Sequence, residues 1–362
     1  MSVWQFADWI EPVEEPFRIT LGEGNTPLIA SRRIGPAAGL NNLWFKVETS
    51  NPAGSFKDRM GAVAVSHMLA QRKNRCIATS SGNTGSALSA YCAAAGLECH
   101  IAVVETAPES KLQQMMAYGA DVFRIRGFGI DAEITAKTFD RLARIASRED
   151  SAMQVSSYIY SPEGMTGVET ISHELALQSE QMGASISRVF CQAGGGGLCV
   201  AVARGFASLM QSGRLSTAPA VDCVQPQGNN TMAGPLRDGA ERAQECVCTT
   251  RVSGLQVPVV NDGHLVVSEC RATGGTGHLV TDESVWETQT RLAREEGIFS
   301  EPAGAVALAG ALQAAACGEL DPDAMIVCLV TGTGFKDVES VTRMLGREPC
   351  PMLEFDDLDS LE

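Results

Sequence analysis

Positive charge is scarce in this chain: 28 lysines and arginines stand against 43 aspartates and glutamates, a formal charge of −15 over 362 residues. A nucleic-acid footprint needs clustered basic side chains to displace counterions from phosphates, so the balance excludes an extended one and disfavours anionic membrane surfaces. Long apolar runs are missing as well. Stretches such as Ala303 to Ala316 stop near the length of a buried core helix, short of the roughly 20 residues a membrane-spanning helix takes. No CxxC pair exists to mark a zinc site or a redox dithiol, and the nearest approach, Cys246 and Cys248, has a spacing that chelates poorly. The 12 cysteines are otherwise scattered and read as small buried hydrophobes in a reducing compartment. Met1 to Ile10 carries Trp4, Asp8 and Trp9 and no basic region, so no secretory signal is expected and the expected location is the cytoplasm. Repeats and Gly/Ser linkers are also absent, which removes fibrous and bead-on-string architectures.

What is present is a chain that is 44% hydrophobic with 36 glycines and only 6% aromatics, a balance suited to closely packed α/β layers. From Arg75 onward, short β-branched runs alternate with helix-length stretches: Cys76 to Ser80, Cys99 to Glu105, Asp121 to Arg126, Met153 to Ser157, Arg188 to Gln192, Val221 to Val224 and Met325 to Thr331. Parallel neighbours need a crossover, usually a helix, so the alternation predicts an α/β fold with a mostly parallel sheet. Ala324 to Val330 is apolar throughout, as expected where helices cover both faces. Without a linker, two domains would share the chain more than once; the expected division is a small mobile domain, 51–151, inserted in a larger one made of 1–50 and 152–362. The acidic tail Glu354 to Glu362 is expected to be solvated.

Three turns lie where βα units place ligands, at the carboxyl ends of strands. The first, Asn51-Pro-Ala-Gly-Ser-Phe-Lys57-Asp-Arg59, puts a lysine at a helix start, where the dipole favours acids. A lone lysine there is ordinarily a surface residue. Held in a packed turn between Gly54 and the apolar Gly61 to Leu69, it becomes a candidate nucleophile or imine former. The second, Ser80-Ser81-Gly82-Asn83-Thr84-Gly85, follows a strand and opens a helix. Alone it is a capping motif; its unpaired amides also make it a carboxylate site. The third, Gln192-Ala193-Gly194-Gly195-Gly196-Gly197-Leu198, gives up much chain entropy, and without side chains its amides can approach an anion closely. Its spacing is not that of a dinucleotide-binding loop, which would put a glycine at Cys199, and no Walker lysine follows it.

A lysine able to form an imine and a loop able to hold a phosphate are the two things pyridoxal phosphate requires. Together and in order, these segments resemble the fold-type-II pyridoxal-phosphate enzymes of the tryptophan synthase beta superfamily, and most closely the threonine synthase branch. The likeness also runs through Gly22-Glu-Gly-Asn-Thr-Pro-Leu28, Glu48 to Arg59, Lys111 to Gly127, Glu295 to Pro302 and Thr331-Gly-Thr-Gly-Phe-Lys-Asp337. The resemblance implies two open, mostly parallel sheets with helices on both faces, pyridoxal 5'-phosphate as cofactor, a small-molecule amino-acid substrate and a homodimer. It implies that Lys57 is the Schiff-base lysine and proton shuttle, and that Asn83 bonds the cofactor's 3-hydroxyl. It also implies that Ser80, Ser81, Gly82 and Thr84 cradle the substrate carboxylate, that Gly194, Gly195, Gly196, Gly197 and the Leu198 amide cup the phosphate, and that Thr331 faces the pyridine nitrogen. No metal is implied.

The match departs from the threonine synthase pattern in two places. Ser157-Tyr-Ile-Tyr-Ser161-Pro-Glu-Gly164 has no cation where that branch has an arginine for the substrate phosphate, and the unbroken glycines are similar to those of serine and threonine dehydratases. A lyase is therefore expected that eliminates or replaces a hydroxyl, phosphate or acyl ester on the β or γ carbon of an L-amino acid. A serine/threonine ammonia-lyase and a β-replacement synthase, such as a diaminopropionate- or cysteine-type synthase, are the alternatives, with a non-catalytic binding protein behind them. Thr331, being uncharged, is expected to leave the ring nitrogen unprotonated and to favour leaving-group expulsion over transamination. His67, His100 and His173 read as structural, His264 and His278 as lying in glycine-containing loops, and Glu301 as a position near the cofactor ring.

Overall fold

The computed structural model describes residues 2–80, 82–107, 109–346, 350 and 352–355. Strands β1 (Leu28–Ala30), β2 (Leu43–Val47), β3 (Arg75–Thr79), β4 (Glu98–Val103), β5 (Asp121–Arg124), β6 (Ser151–Gln154), β7 (Ile186–Gln192), β8 (Ala220–Pro226), β9 (Gly277–Val280) and β10 (Met325–Val330) form two sheets. One is six-stranded in the order β1-β2-β10-β7-β8-β9, and the other four-stranded in the order β5-β4-β3-β6. Only β1 and β2 pair antiparallel; the other pairs are parallel and the intervening chain is helical, so the expected α/β class with two mostly parallel sheets holds.

All six residues of β10 are buried, yet they serve two interiors. Met325, Val327 and Leu329 join the core under helices Lys57–Ala70, Pro162–Gln181 and Gly197–Gln211, while Ile326, Cys328 and Val330 join the one under helix Pro302–Ala316. The period of two survives, hidden because both faces are apolar. Low aromatic content lets layers close tightly: a Cβ on Gly310 would meet Val224 at 2.7 Å.

β1, β2 and β9 were not legible in the sequence. β1 is three residues long, and β2 buries a charge, Lys46, in mid-strand. β9 carries His278, and His264 sits in helix Gly263–Ala272, so neither histidine lies in a loop. The glycine beside His278 marks a close approach instead of a turn: a Cβ on Gly277 would fall 1.8 Å from the Ala233 carbonyl oxygen. His67 and His173 lie in helices and His100 in β4; the His173 ring packs 5.4 Å from Phe6 and 5.2 Å from Trp9, as a structural role requires. All 12 cysteines are free, and the fold gathers Cys76, Cys92 and Cys99, apart in sequence, until their sulfurs lie within 4.8 Å of one another. Apart from Glu354 and Phe355, the acidic tail lies outside the described residues.

Beneath the start of helix Lys57–Ala70 is a buried ionic cluster. The Arg59 guanidinium reaches Glu48 at 2.8 Å and Glu174 at 2.7 Å, and the Lys46 ammonium reaches Glu174 at 2.7 Å. Thr26 donates its hydroxyl to Glu48 at 2.7 Å, and the Asn25 amide donates to Glu174 at 2.6 Å. Burial pushes the Glu174 carboxyl up, but Arg59 and Lys46 outweigh it and hold it well below the usual carboxylate range. Four sequence segments are pinned at the foot of the helix that begins with Lys57.

Candidate active site

The carboxyl ends of β3, β6, β7 and β10 open on one cavity of about 790 Å³. Lys57, Ser80, Gly82, Asn83, Thr84, Gly194, Gly195, Gly196, Gly197, Leu198 and Thr331 all line it. Ser81 lies outside the described residues. Three turns far apart in sequence thus converge, as the rule for open α/β sheets requires.

Lys57 is the first residue of its helix, as the turn chemistry predicts. Its ammonium meets the Ser156 hydroxyl and lies 4.4 Å from the centre of the Phe56 ring. Burial pushes it down to about 8, against the opposing fields of Asp262 and Glu301. A substantial neutral fraction near pH 8 is what an amine needs to attack a carbonyl.

Helix Gly197–Gln211 opens from the glycine loop with no side-chain cap, so its first amides are free to bind an anion. Gly196 has φ +101°, in the left-handed region only glycine enters readily. A Cβ on Gly197 would strike Met165 at 2.8 Å, so the loop's course also depends on the missing side chain. Asp262 fastens it, donating its amide to the Gly195 carbonyl at 3.0 Å while its carboxylate accepts from the Ser157 hydroxyl at 2.9 Å.

Helix Asn83–Ala95 begins at Asn83. The Asn83 amide nitrogen donates to Glu301 at 2.6 Å, which leaves its Oδ1 buried and without a partner. Burial pushes the Glu301 carboxyl up, and Glu301 lines the cavity beside Asn83. At the end of β7, Gln192 donates from Nε2 to the Thr331 hydroxyl oxygen, and its own Oε1 has no partner. The Phe56 amide donates to the Thr331 carbonyl at 3.0 Å, joining the lysine turn to the end of β10.

Two lysines tie the flanks of the cavity together in opposite directions. Lys111, on helix Glu109–Ala117, lies 3.4 Å from Asp337 and donates to Ser253; Lys336 donates to Gln114 of that helix at 2.7 Å. Gln192, Lys336 and Asp337 stand within the sequence motifs without a role legible there, and Ser156 carries no sequence signal. In the loop after β6, Tyr158 donates its hydroxyl to Glu169 at 2.7 Å, and its ring carries the Arg204 guanidinium at 4.6 Å. Arg204 belongs to helix Gly197–Gln211 and is not among the residues lining the cavity.

The arrangement offers an amine, a free helix N-terminus and uncharged hydrogen-bonding side chains in one cleft, a donor set for a carbonyl compound with an anionic arm. Comparison with known proteins agrees. A family model described as pyridoxal-phosphate dependent enzyme matches residues 19–332. The chain is 32% identical over 351 residues to a threonine synthase of Methanosarcina acetivorans, covering 94% of this chain and 81% of that protein. It is 30% identical over 349 residues to a threonine synthase of Methanocaldococcus jannaschii, covering 95% and 82%. Among solved structures, the diaminopropionate ammonia lyase of Escherichia coli shares the fold with a TM-score of 0.73 at 17% identity, covering 93% of this chain and 94% of that one. Maize serine racemase shares it with a TM-score of 0.72 at 23% identity, covering 89% and 92%.

Proposed function

We propose the following chemistry for a chain that belongs to the pyridoxal-phosphate dependent enzyme family, is a pyridoxal-phosphate-dependent lyase of the threonine synthase-like type, and takes pyridoxal 5'-phosphate as cofactor. Bound to an amino acid, that cofactor withdraws electrons from the α-carbon. The residues present fit it: free amides for its phosphate, an amine for its aldehyde, and two buried side-chain oxygens, Asn83 Oδ1 and Gln192 Oε1, still without partners.

Lys57 would hold the aldehyde carbon covalently and, once displaced by substrate, move the proton at the α-carbon. The amides of Gly194 to Leu198 would hold the phosphate, and Asn83, fixed by Glu301, the ring hydroxyl. Thr331 would face the ring nitrogen, and Ser80, Ser81, Gly82 and Thr84 would receive the substrate carboxylate. The observation that carries this reading is the convergence of the amine, the glycine loop and Thr331 on one cavity.

An uncharged Thr331 favours expulsion of a β or γ leaving group over transamination. The loop after β6 gives the cavity no cation, so a phosphate leaving group would find charge at Lys111 and Lys336 instead. Serine, threonine, O-phosphoserine and O-phosphohomoserine, assayed for keto acid and inorganic phosphate, test the reading; elimination from at least one is expected, and transamination alone overturns it. Replacement by a second nucleophile is the second reading, favoured by a mouth wide enough to include Arg251, Trp286 and Arg343, and an added thiol or amine appearing in the product would select it.

Loading supplies a further prediction. Because the Lys57 amine titrates near 8, the rate at which apoprotein acquires its visible absorption band rises with pH through about 8 and levels above it. A rate still climbing at pH 10 would assign the amine to an ordinary exposed lysine.

The four-stranded sheet, spanning residues 75–154, supports a smaller unit close to 51–151, although its edge strand β6 runs to Gln154 past that boundary; if the unit moves, Lys111 and Lys336 would fasten it closed. Twelve free thiols, eight of them buried, support a cytoplasmic location. The homodimer rests on family likeness.

A further inference from the structure

We infer that Gln192 is a positioning residue: it fixes the direction in which Thr331 presents its hydroxyl and so keeps the ring nitrogen of the bound cofactor unprotonated. This rests on Thr331 facing that nitrogen, as proposed above. β7 and β10 are neighbouring parallel strands with Phe190 opposite Cys328, so Gln192 and Thr331 emerge side by side at their carboxyl ends. Both line the cavity, and they are only 3% and 2% exposed.

Gln192 Nε2 donates to Thr331 Oγ1. One lone pair of that oxygen is thereby committed, and among the described residues the hydroxyl proton has no acceptor. Its open side is the cavity. Turning the glutamine amide over would leave both of its hydrogens without an acceptor, since nothing partners the position of Oε1, and a buried N–H without a partner is rarer than a buried carbonyl in that state. Thr331 therefore meets the ring nitrogen as a donor, and a donor holds a basic nitrogen in its free-base form. Gln192 achieves this without adding charge.

The test is nitrogen NMR of holoenzyme loaded with cofactor isotope-labelled at the ring nitrogen, alongside the ratio of transamination to elimination. Wild type gives the free-base signal. In Gln192→Glu the carboxylate accepts the Thr331 proton and turns an oxygen lone pair toward the ring, so the signal moves toward the protonated form and the ratio rises roughly tenfold. Gln192→Met frees the committed lone pair without adding charge, and moves the signal less, in the same direction. Thr331→Val moves it as well. A shift in Gln192→Glu alone would be charge acting at a distance and overturns the inference, as does a signal unchanged in both Gln192 variants while Thr331→Val shifts it. If none of the three moves it, the placement of Thr331 falls and the inference with it.

Discussion

Lys57→Ala is expected to reduce turnover by roughly 10²- to 10⁴-fold or more, the range set by losing a general acid–base group, with covalent anchorage lost in addition. The visible band that borohydride reduces in the wild-type holoenzyme should be absent, and no reduced tag should map to residue 57. The fold should stand, because among the described residues the ammonium's contacts are the Ser156 hydroxyl and the Phe56 ring, and it caps no helix. Alanine favours the helical conformation the residue already has. Circular dichroism and a denaturant midpoint near wild type would separate lost chemistry from lost structure; retained turnover in a folded protein would refute the assignment.

The largest effect on stability is expected two residues further on. Arg59 is fully buried between Glu48 and Glu174, and its removal leaves Glu174 with Lys46 alone and Glu48, among the described residues, with no ion-pair partner to offset its desolvation. Arg59→Met should cost about 3–5 kcal/mol, read from the urea midpoint. Lys46→Met should cost less, because Glu174 keeps both nitrogen contacts to Arg59 at 2.7 and 2.8 Å. Equal losses in the two variants would show that the charges act as isolated pairs and not as a cluster centred on Arg59. The same cluster holds the Gly22 to Leu28 segment through Asn25 and Thr26, so partial unfolding should free that segment and the Lys57 helix together.

How much of this was legible beforehand follows from what each feature depends on. Each of the seven runs read as strands overlaps one, although the Met153 to Ser157 run shares only Met153 and Gln154 with β6; burial on both faces accounts for central strands such as β10, whereas β5 is largely exposed and was legible from the turn residues that bound it. The glycine loop and the Asn83 turn were visible because backbone amides at a helix start need no particular partner. β1 and β2 were hidden by brevity and by a buried lysine whose partner lies 128 residues away. The same limit applies inside the site: that Glu301 seats Asn83, and that Gln192 reaches Thr331, are facts of pairs 218 and 139 residues apart, which no local pattern encodes. His264 and His278 fall outside loops because the glycines beside them serve close contact, not a turn.

The two-faced burial of β10 bears on alignment. A strand that is oily on one side and wet on the other is held in step by that contrast, since sliding by one position would drown its greasy set. β10 has no such contrast, and a slide would merely exchange one interior for the other. What keeps the strand in step is its last polar outpost, where Thr331 must find Gln192 on one flank and the Phe56 amide on the other. The contacts that seat Thr331 at the cavity are, by the same token, the ones that tell the central strand where to stop.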